Sequence, residues 1–276
     1  MGIRQPRGRS GRHGGTIIIG GLQVDTRTPL IAGNWKMFKT PREAARDAAA
    51  LAKLVQGVEG VDVMIAPTFV CLAPVAQALE GSSIALGGQN LHWEKEGAFT
   101  GEISAPMLKA VGCSHVIIGH SERRQYFGET DQTVNQKIRA ALDVGLKAVL
   151  CVGETEEERD QEKTLNVLDK QLKGGLKDIS FSSGDDTLVV AYEPVWAIGT
   201  GKTATDEQAQ EAHAYIRQVL AVLLGKELAK STRILYGGSV KPANIAQLMS
   251  KPDIDGGLVG GASLDPETFS QIVRFQ

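Results

Sequence analysis

The chain has few cysteines, no long hydrophobic run and almost no net charge, and each shortage narrows what it can be. Three cysteines, Cys71, Cys113 and Cys151, are odd in number and form no Cys-x-x-Cys pair, which suits a reducing cytosol better than a disulfide-built secreted scaffold. No apolar run approaches about 18 residues, so no membrane-spanning helix is expected. A net charge of −2 gives no global attraction for nucleic acid, and any anion binding has to be local. No Gly-x-Gly-x-x-Gly lies between a strand and a helix. Gly-Thr-Gly-Lys-Thr at 199–203 fails as a Walker loop, because the glycine needed five places before Gly201 is replaced by Trp196. No His-x-His stands at a strand end, which disfavours a metal-centred barrel hydrolase. The expectation is a cytoplasmic protein with no metal and no cofactor, and with neither nucleic acid nor membrane as partner.

What is present is an ordinary globular composition, 42% hydrophobic and 22% charged over 276 residues. That length allows two domains or one α/β barrel. Residues 1–28 differ from the rest: Arg4, Arg7, Arg9 and Arg12 sit among glycines, and no acid precedes Asp25. Such a segment resembles a transit peptide in composition. The simpler reading is a disordered basic extension, with one catalytic domain over 29–276.

From Leu30 onward short apolar runs alternate with helical patterns. Strands are expected at Leu30–Gly33, Val61–Ala66, Ile84–Gly88, His115–Gly119, Lys147–Val152, Leu188–Tyr192, Arg233–Tyr236 and Gly257–Val259. Helices are expected after Thr40-Pro41-Arg42-Glu43 and Thr205-Asp206-Glu207-Gln208, both capping boxes, and over Val70–Leu79, Ala105–Val111, Thr133–Ala141, Arg159–Leu172 and Asn244–Met249, with a last one capped by Asp265. These are eight strand–helix units of about 31 residues, the size of a βαβ repeat. Near-continuous apolar strands mean a parallel sheet covered on both faces. The fold expected is a closed eight-stranded parallel (β/α)₈ barrel, with an open doubly wound sheet as the alternative.

In such a barrel the chemistry sits at the carboxyl ends of the strands. The polar groups there are Asn34 and Lys36 after the first strand, His120 after the fourth, Glu193 after the sixth, Ser239 after the seventh, and Gly260 with Gly261 after the eighth. Alone, a strand-end glutamate is a solvated loop residue and a lysine a surface cation; a shared mouth makes them one site. His115 and His120 bracket a strand and stand some 16 Å apart at about 3.3 Å per residue, too far to share a metal. His115 is expected to be structural. The pairs Gly237-Gly238 and Gly260-Gly261 fit the place where barrels hold a phosphate with bare backbone N–H groups, and Lys36 offers the balancing charge.

Gly-Asn-Trp-Lys-Met at 33–37, Ile-Gly-His-Ser-Glu-Arg-Arg at 118–124, Ala-Tyr-Glu-Pro-Val-Trp-Ala-Ile-Gly-Thr-Gly at 191–201, Tyr-Gly-Gly-Ser-Val at 236–240 and Leu-Val-Gly-Gly-Ala-Ser-Leu at 258–264 resemble the triosephosphate isomerase family, in its motif order and from about Leu30 to the end. The resemblance implies interconversion of dihydroxyacetone phosphate and D-glyceraldehyde 3-phosphate through an enediolate. Glu193 would be the base, His120 the hydrogen-bond donor to the carbonyl oxygen, and Lys36 and Asn34 the groups that stabilise charge on the substrate oxygens. Glu122 would hold Lys36. The lid would run Pro194, Val195, Trp196, Ala197, Ile198, Gly199, Thr200, Gly201, Lys202, Thr203, Ala204. On its closure, Ile198 and Leu258 would press apolar surface on the carboxylate and raise its basicity. The N–H groups of Gly199, Ser239, Gly260 and Gly261 would grip the phosphate. The family habit is a homodimer, in which the loop Gln89–Glu102 enters the partner and Thr100 reaches toward Asn34 and His120.

Overall fold

Eight of the ten strands among the described residues share one architectural fact: each is buried on both faces. The computed structural model of the chain describes residues 16–19, 22–25, 27–182, 184–198 and 204–275. β3 (Leu30–Asn34), β4 (Asp62–Ala66), β5 (Ala85–Gly88), β6 (His115–Ile118), β7 (Lys147–Val152), β8 (Leu188–Tyr192), β9 (Arg233–Tyr236) and β10 (Gly256–Val259) run parallel, each beside the next. β10 returns to β3 with Gly256 opposite Leu30 and Val259 opposite Gly33. That closure rules out the open sheet. Side chains alternate along each strand: Leu30, Ala32, Met64, Ala66, Ile117, Val149, Cys151, Val189, Ala191, Leu235 and Leu258 fill the barrel interior, while Ile31, Val63, Ile65, Val116, Ile118, Leu150 and Val190 belong to the core shared with the helices.

The helices are α1 (Pro41–Leu54), α2 (Leu72–Ala78), α3 (Ala105–Ala110), α4 (Ser121–Phe127), α5 (Asp131–Asp143), α6 (Glu156–Asp160), α7 (Thr164–Gly175), α8 (Asp206–Leu224), α9 (Lys226–Ser231), α10 (Ile245–Met249) and α11 (Pro266–Val273). Both expected capping boxes form. Thr205 N–H donates to Gln208 Oε1 at 3.0 Å while Gln208 N–H donates back to Thr205 Oγ1 at 3.2 Å, which satisfies donors that a helix start leaves orphaned.

Two local departures from the sequence reading have identifiable causes, and one strand pairing lies outside the eight strand–helix units. The helix expected over Arg159–Leu172 is two, α6 and α7, separated where Glu162 takes a left-handed φ of 56°. α4 carries no apolar stripe, since Tyr126 and Phe127 are exposed, so periodicity could not reveal it. Finally, β1 (Thr16–Ile19) and β2 (Leu22–Asp25) pair antiparallel outside the barrel, within the span expected as a disordered extension. The run Thr16–Ile19 is β-branched throughout, which suits a strand. Residues 1–15 lie outside the described residues.

Arg27 ties the start of the barrel to its end. Its Nε donates to Asp255 Oδ1, its Nη1 to the Lys230 carbonyl and its Nη2 to the Pro252 carbonyl, while Arg217 Nη2 donates to the other Asp255 oxygen at 2.7 Å. Asp255 immediately precedes β10, so this network sits at the β10–β3 seam.

Candidate active site

Glu193 follows β8 directly and is 2% exposed. Its Oε1 lies 2.9 Å from His120 Nε2, and its Oε2 accepts the Ser121 N–H at 2.9 Å. His120 follows β6 and caps α4, whose start presents the Ser121 and Glu122 amides to the site. The His120 Nδ1 accepts the Glu122 N–H at 3.2 Å. An accepting nitrogen bears no proton, which leaves the ring proton at Nε2, aimed at Glu193. Burial opposes charge on Glu193, but His120 and the Ser121 amide outweigh it and hold the carboxyl below its usual range. For His120, burial again opposes charge and the Glu193 carboxylate prevails, raising the ring's proton affinity. The Glu122 amide on Nδ1 resists a second ring proton. Beneath Glu193, burial pushes the Cys151 thiol well up, so Cys151 is a core thiol.

Close approach sets this corner. A Cβ on Gly153, at the end of β7, would fall 1.7 Å from the Glu193 carbonyl oxygen, so only glycine lets β7 and β8 converge beside the carboxylate.

Asn34 ends β3 and Lys36 lies in the turn that follows it. The Asn34 Oδ1 accepts the Lys36 N–H at 3.0 Å, and the Lys36 ammonium pairs with the Glu122 carboxylate. Lys36 has a φ of 49°, a left-handed conformation for a non-glycine residue. Gln89, just past β5, holds it there by donating through Nε2 to the Lys36 and Ala66 carbonyls, each at 2.8 Å. The chain Lys36–Glu122–His120–Glu193 is thus continuous in contacts.

The glycine turns stand at the same mouth. Gly260 lies beside the Lys36 stem: a Cβ there would be 3.4 Å from Lys36 Cε. Gly261–Ser263 forms a single 3₁₀ turn closed by Ser263 N–H onto the Gly260 carbonyl at 2.8 Å. Ser239 follows the Gly237-Gly238 pair, and its carbonyl accepts from Asn244 Nδ2 at 2.9 Å. The side chain of Leu258 belongs to the barrel interior and Ile198 is half-buried.

The first part of the expected lid is well anchored. Pro194 leads into a 3₁₀ turn, Val195–Ala197, and the Val195 N–H donates to the Glu154 carbonyl at 3.1 Å. Glu154 Oε1, wholly buried, accepts from Trp196 Nε1 at 2.9 Å, Tyr192 Oη at 3.1 Å and Arg159 Nη1 at 3.2 Å. The Arg159 guanidinium also lies 4.3 Å over the Trp196 ring, a cation–π contact. Ala204, at the far end, is buried. Gly199, Thr200, Gly201, Lys202 and Thr203 lie outside the described residues.

Sequence reasoning missed Glu154 and Gln89, although both stand just past strands, where the same rule would have found them. Ser121 was invisible because it acts through its backbone N–H. Thr100 is exposed on the long loop after β5, which is braced by His92 stacked on Trp93 and tilted against Phe99 at 4.2 and 4.3 Å. His115 is buried, and burial pulls its pKa down to about 3. Among the described residues no group of three or more His, Cys, Asp and Glu side chains could hold a metal ion, and no helix is long and apolar enough to cross a membrane.

The family model described as triosephosphate isomerase matches residues 29–276. The triosephosphate isomerase of Citrifermentans bemidjiense is 57% identical over 249 residues, covering 90% of this chain and 99% of that protein. That of Carboxydothermus hydrogenoformans is 57% identical over 248 residues, or 90% and 98% of the two chains. The crystal structure of triosephosphate isomerase from Bartonella henselae superposes with a TM-score of 0.82 at 42% identity, covering 90% of this chain and 98% of that one. The chain belongs to the triosephosphate isomerase family.

Proposed function

We propose that Glu193, His120, Lys36 and Asn34 carry out the reaction of this family, the interconversion of dihydroxyacetone phosphate and D-glyceraldehyde 3-phosphate, with no cofactor. The observation that carries this reading is the pairing of Glu193 with the His120 Nε2 at 2.9 Å, next to the Lys36–Glu122 pair at the carboxyl ends of the strands. A base and a hydrogen-bond donor face the same space from neighbouring directions, as removal of a proton α to a carbonyl requires.

Substrate enters between the two. Glu193 exchanges the Ser121 amide and the His120 ring for a substrate carbon, removes its proton and returns it to the adjacent carbon. Losing those two partners removes what holds its basicity down, while burial, with Ile198 and Leu258 closing over it, pushes the basicity up. His120 donates from Nε2 to the carbonyl oxygen and relays protons between the two oxygens. With Glu193 withdrawn, burial and the Glu122 amide on Nδ1 keep the ring neutral. Lys36 and Asn34 stabilise the charge that develops on the oxygens. The backbone N–H groups of Ser239, Gly260 and Gly261 take the phosphate, joined by that of Gly199 when the lid from Pro194 to Ala204 closes and shields the enediolate from water.

A coupled assay with glyceraldehyde 3-phosphate, wild type beside Glu193→Asp, tests this. The shorter carboxylate keeps its charge but sits about one methylene away, and a loss of at least about a hundredfold in turnover is expected for a misplaced base. A wild type without turnover that still binds inorganic phosphate would leave only a sugar-phosphate-binding barrel.

The protein is further read as a homodimer. Large apolar side chains stand exposed on the loops that follow β3 and β5: Met37 is 90% exposed, Phe38 55% and Phe99 43%. Exposed apolar clusters of this kind mark interfaces, and Thr100 beside Phe99 would then enter the partner's site. Sedimentation of an active protein as a pure monomer would refute the dimer. Three free, buried cysteines agree with a reducing cytoplasm.

A further inference from the structure

We propose that Lys39 is a positioning residue for the isomerase site: its ammonium clasps the turn that presents Lys36 to the turn that receives the substrate phosphate. This rests on the functional reading above and deepens it.

The turn after β3 is conformationally costly. Lys36 and Lys39, with φ of 49° and 70°, are two of the four non-glycine residues with positive φ among the described residues. Such conformations persist only where the surroundings fix them. At Lys36 the restraint comes from Asn34 and Gln89. At Lys39 it comes from the residue's own side chain, which is largely buried and reaches three elements at once. Nζ pairs with Asp47 Oδ2 on α1 at 2.5 Å, donates to the Leu264 carbonyl at 2.6 Å, and lies 5.0 Å over the Trp35 ring.

Each partner bears on the site. Trp35 stands between Asn34 and Lys36, with its N–H on the Ala66 carbonyl at 3.0 Å. Leu264 closes the 3₁₀ turn that begins at Gly260 and Gly261, with its N–H on the Gly261 carbonyl at 3.1 Å. Asp47 is also held by Arg46 at 2.8 Å, so the anchor on α1 stays in place whether or not Lys39 does. One ammonium therefore fixes the distance between the Lys36 turn and the phosphate turn. The place of the Lys36 stem beside Gly260, where an added Cβ would lie 3.4 Å from Lys36 Cε, depends on that distance.

The charge on Lys39 is sequestered by its carboxylate and carbonyl, so its role differs from that of Lys36. It touches no substrate. Its loss lets the Lys36 ammonium wander: a displacement of about 2 Å from a contact near 4 Å weakens its attraction to phosphate by about tenfold in affinity at an effective dielectric near 20.

The test uses Lys39→Met, which keeps the stem and removes the charge, Lys39→Arg, and Asp47→Asn, which releases one partner and leaves the lysine. Three quantities are read on each folded protein: kcat and KM for glyceraldehyde 3-phosphate, the affinity for inorganic phosphate by calorimetry, and the melting temperature. The expected result is a roughly tenfold weaker phosphate affinity and a raised KM in Lys39→Met, recovery to within about threefold in Lys39→Arg, and an intermediate loss in Asp47→Asn. Phosphate affinity and KM within twofold of wild type in Lys39→Met, with or without a lower melting temperature, would overturn the proposal, because a merely structural lysine moves only the last. If Lys39→Met does not fold, unchanged phosphate affinity in Asp47→Asn overturns it equally. Absence of turnover in the wild type would refute the isomerase reading instead, and the calorimetry would still decide whether Lys39 shapes the phosphate site.

Discussion

Glu129 offers the sharpest test of how the His120 corner is held. Its buried carboxylate accepts from the Gly119 N–H at 3.0 Å, from Arg123 Nε at 2.8 Å and from Lys137 Nζ at 2.8 Å, and Lys137 also donates to Asn90 Oδ1 at 2.8 Å. Gly119 immediately precedes His120 and Arg123 lies on α4, so one carboxylate fixes both the strand end and the helix that frame the imidazole. Burial opposes the charge on Glu129, yet Lys137 and Arg123 hold it below the usual carboxylate range. Glu129→Gln keeps the shape and removes the charge. Arg123 is partly exposed and can turn to water, but Lys137 is 5% exposed and is left as a buried, uncompensated cation. The expected cost is about 3–5 kcal/mol, a fall in melting temperature of about 6–20 °C for a domain of this size. Adding Lys137→Met removes the orphan charge and recovers most of that loss, since replacing both members of a buried pair is nearly neutral. Urea titrations of the wild type, Glu129→Gln and the double variant at one fixed concentration read both numbers. A single variant costing under about 1 kcal/mol, or a double variant no better than Glu129→Gln, would refute the reasoning. The pH dependence has a definite sign: with its folded pKa depressed, Glu129 contributes fully above the ordinary glutamate value near 4.3 and loses its contribution as pH falls through the folded value.

Other outcomes follow from the same geometry. His213 is fully buried between Tyr192 and Tyr236, and burial brings its pKa down to about 3; the unfolded chain therefore binds one more proton between about pH 6.5 and 3. Stability should fall there by up to about 1.4 kcal/mol per pH unit for this residue, and His213→Phe should show a shallower fall in urea titrations at pH 6 and pH 5. Gly153→Ala would set a methyl 1.7 Å from the Glu193 carbonyl oxygen and should cut turnover by at least about tenfold through displacement of Glu193; wild-type kcat in a folded variant would contradict this. In Glu154→Gln, an amide NH₂ shares the place where Tyr192, Trp196 and Arg159 all donate to Oε1, and a loss of about 1–3 kcal/mol is expected in denaturant unfolding.

Most of the barrel was legible because two-sided burial writes itself into the sequence as continuous apolar runs ending in polar residues. The same simplicity explains what was missed. α4 packs without an apolar stripe, so its Tyr126 and Phe127 gave no period. The break between α6 and α7 falls at Glu162, a residue that carries no turn signal. Asn34, Lys36, His120 and Glu193 were readable as side chains of reactive type at strand ends. Glu154 and Gln89 stand at equivalent places, yet their tasks, bracing Trp196 and pinning the Lys36 carbonyl, depend on partners far away in sequence. Ser121 contributes an amide, which every residue except proline has.

The Arg27–Asp255 clasp has a consequence for how the protein is made. Strands β3 to β9 each meet their neighbour soon after both have emerged during synthesis, but β3 waits for β10, and Arg27 waits for a carboxylate 228 residues further along. Pairing across so long a stretch has to overcome the loop-closure entropy of nearly the entire chain. A nascent chain therefore carries two unpaired strand edges until β10 has emerged, the state in which edge-to-edge association is easiest, and the moment of greatest danger for this barrel comes between the emergence of β9 and that of β10.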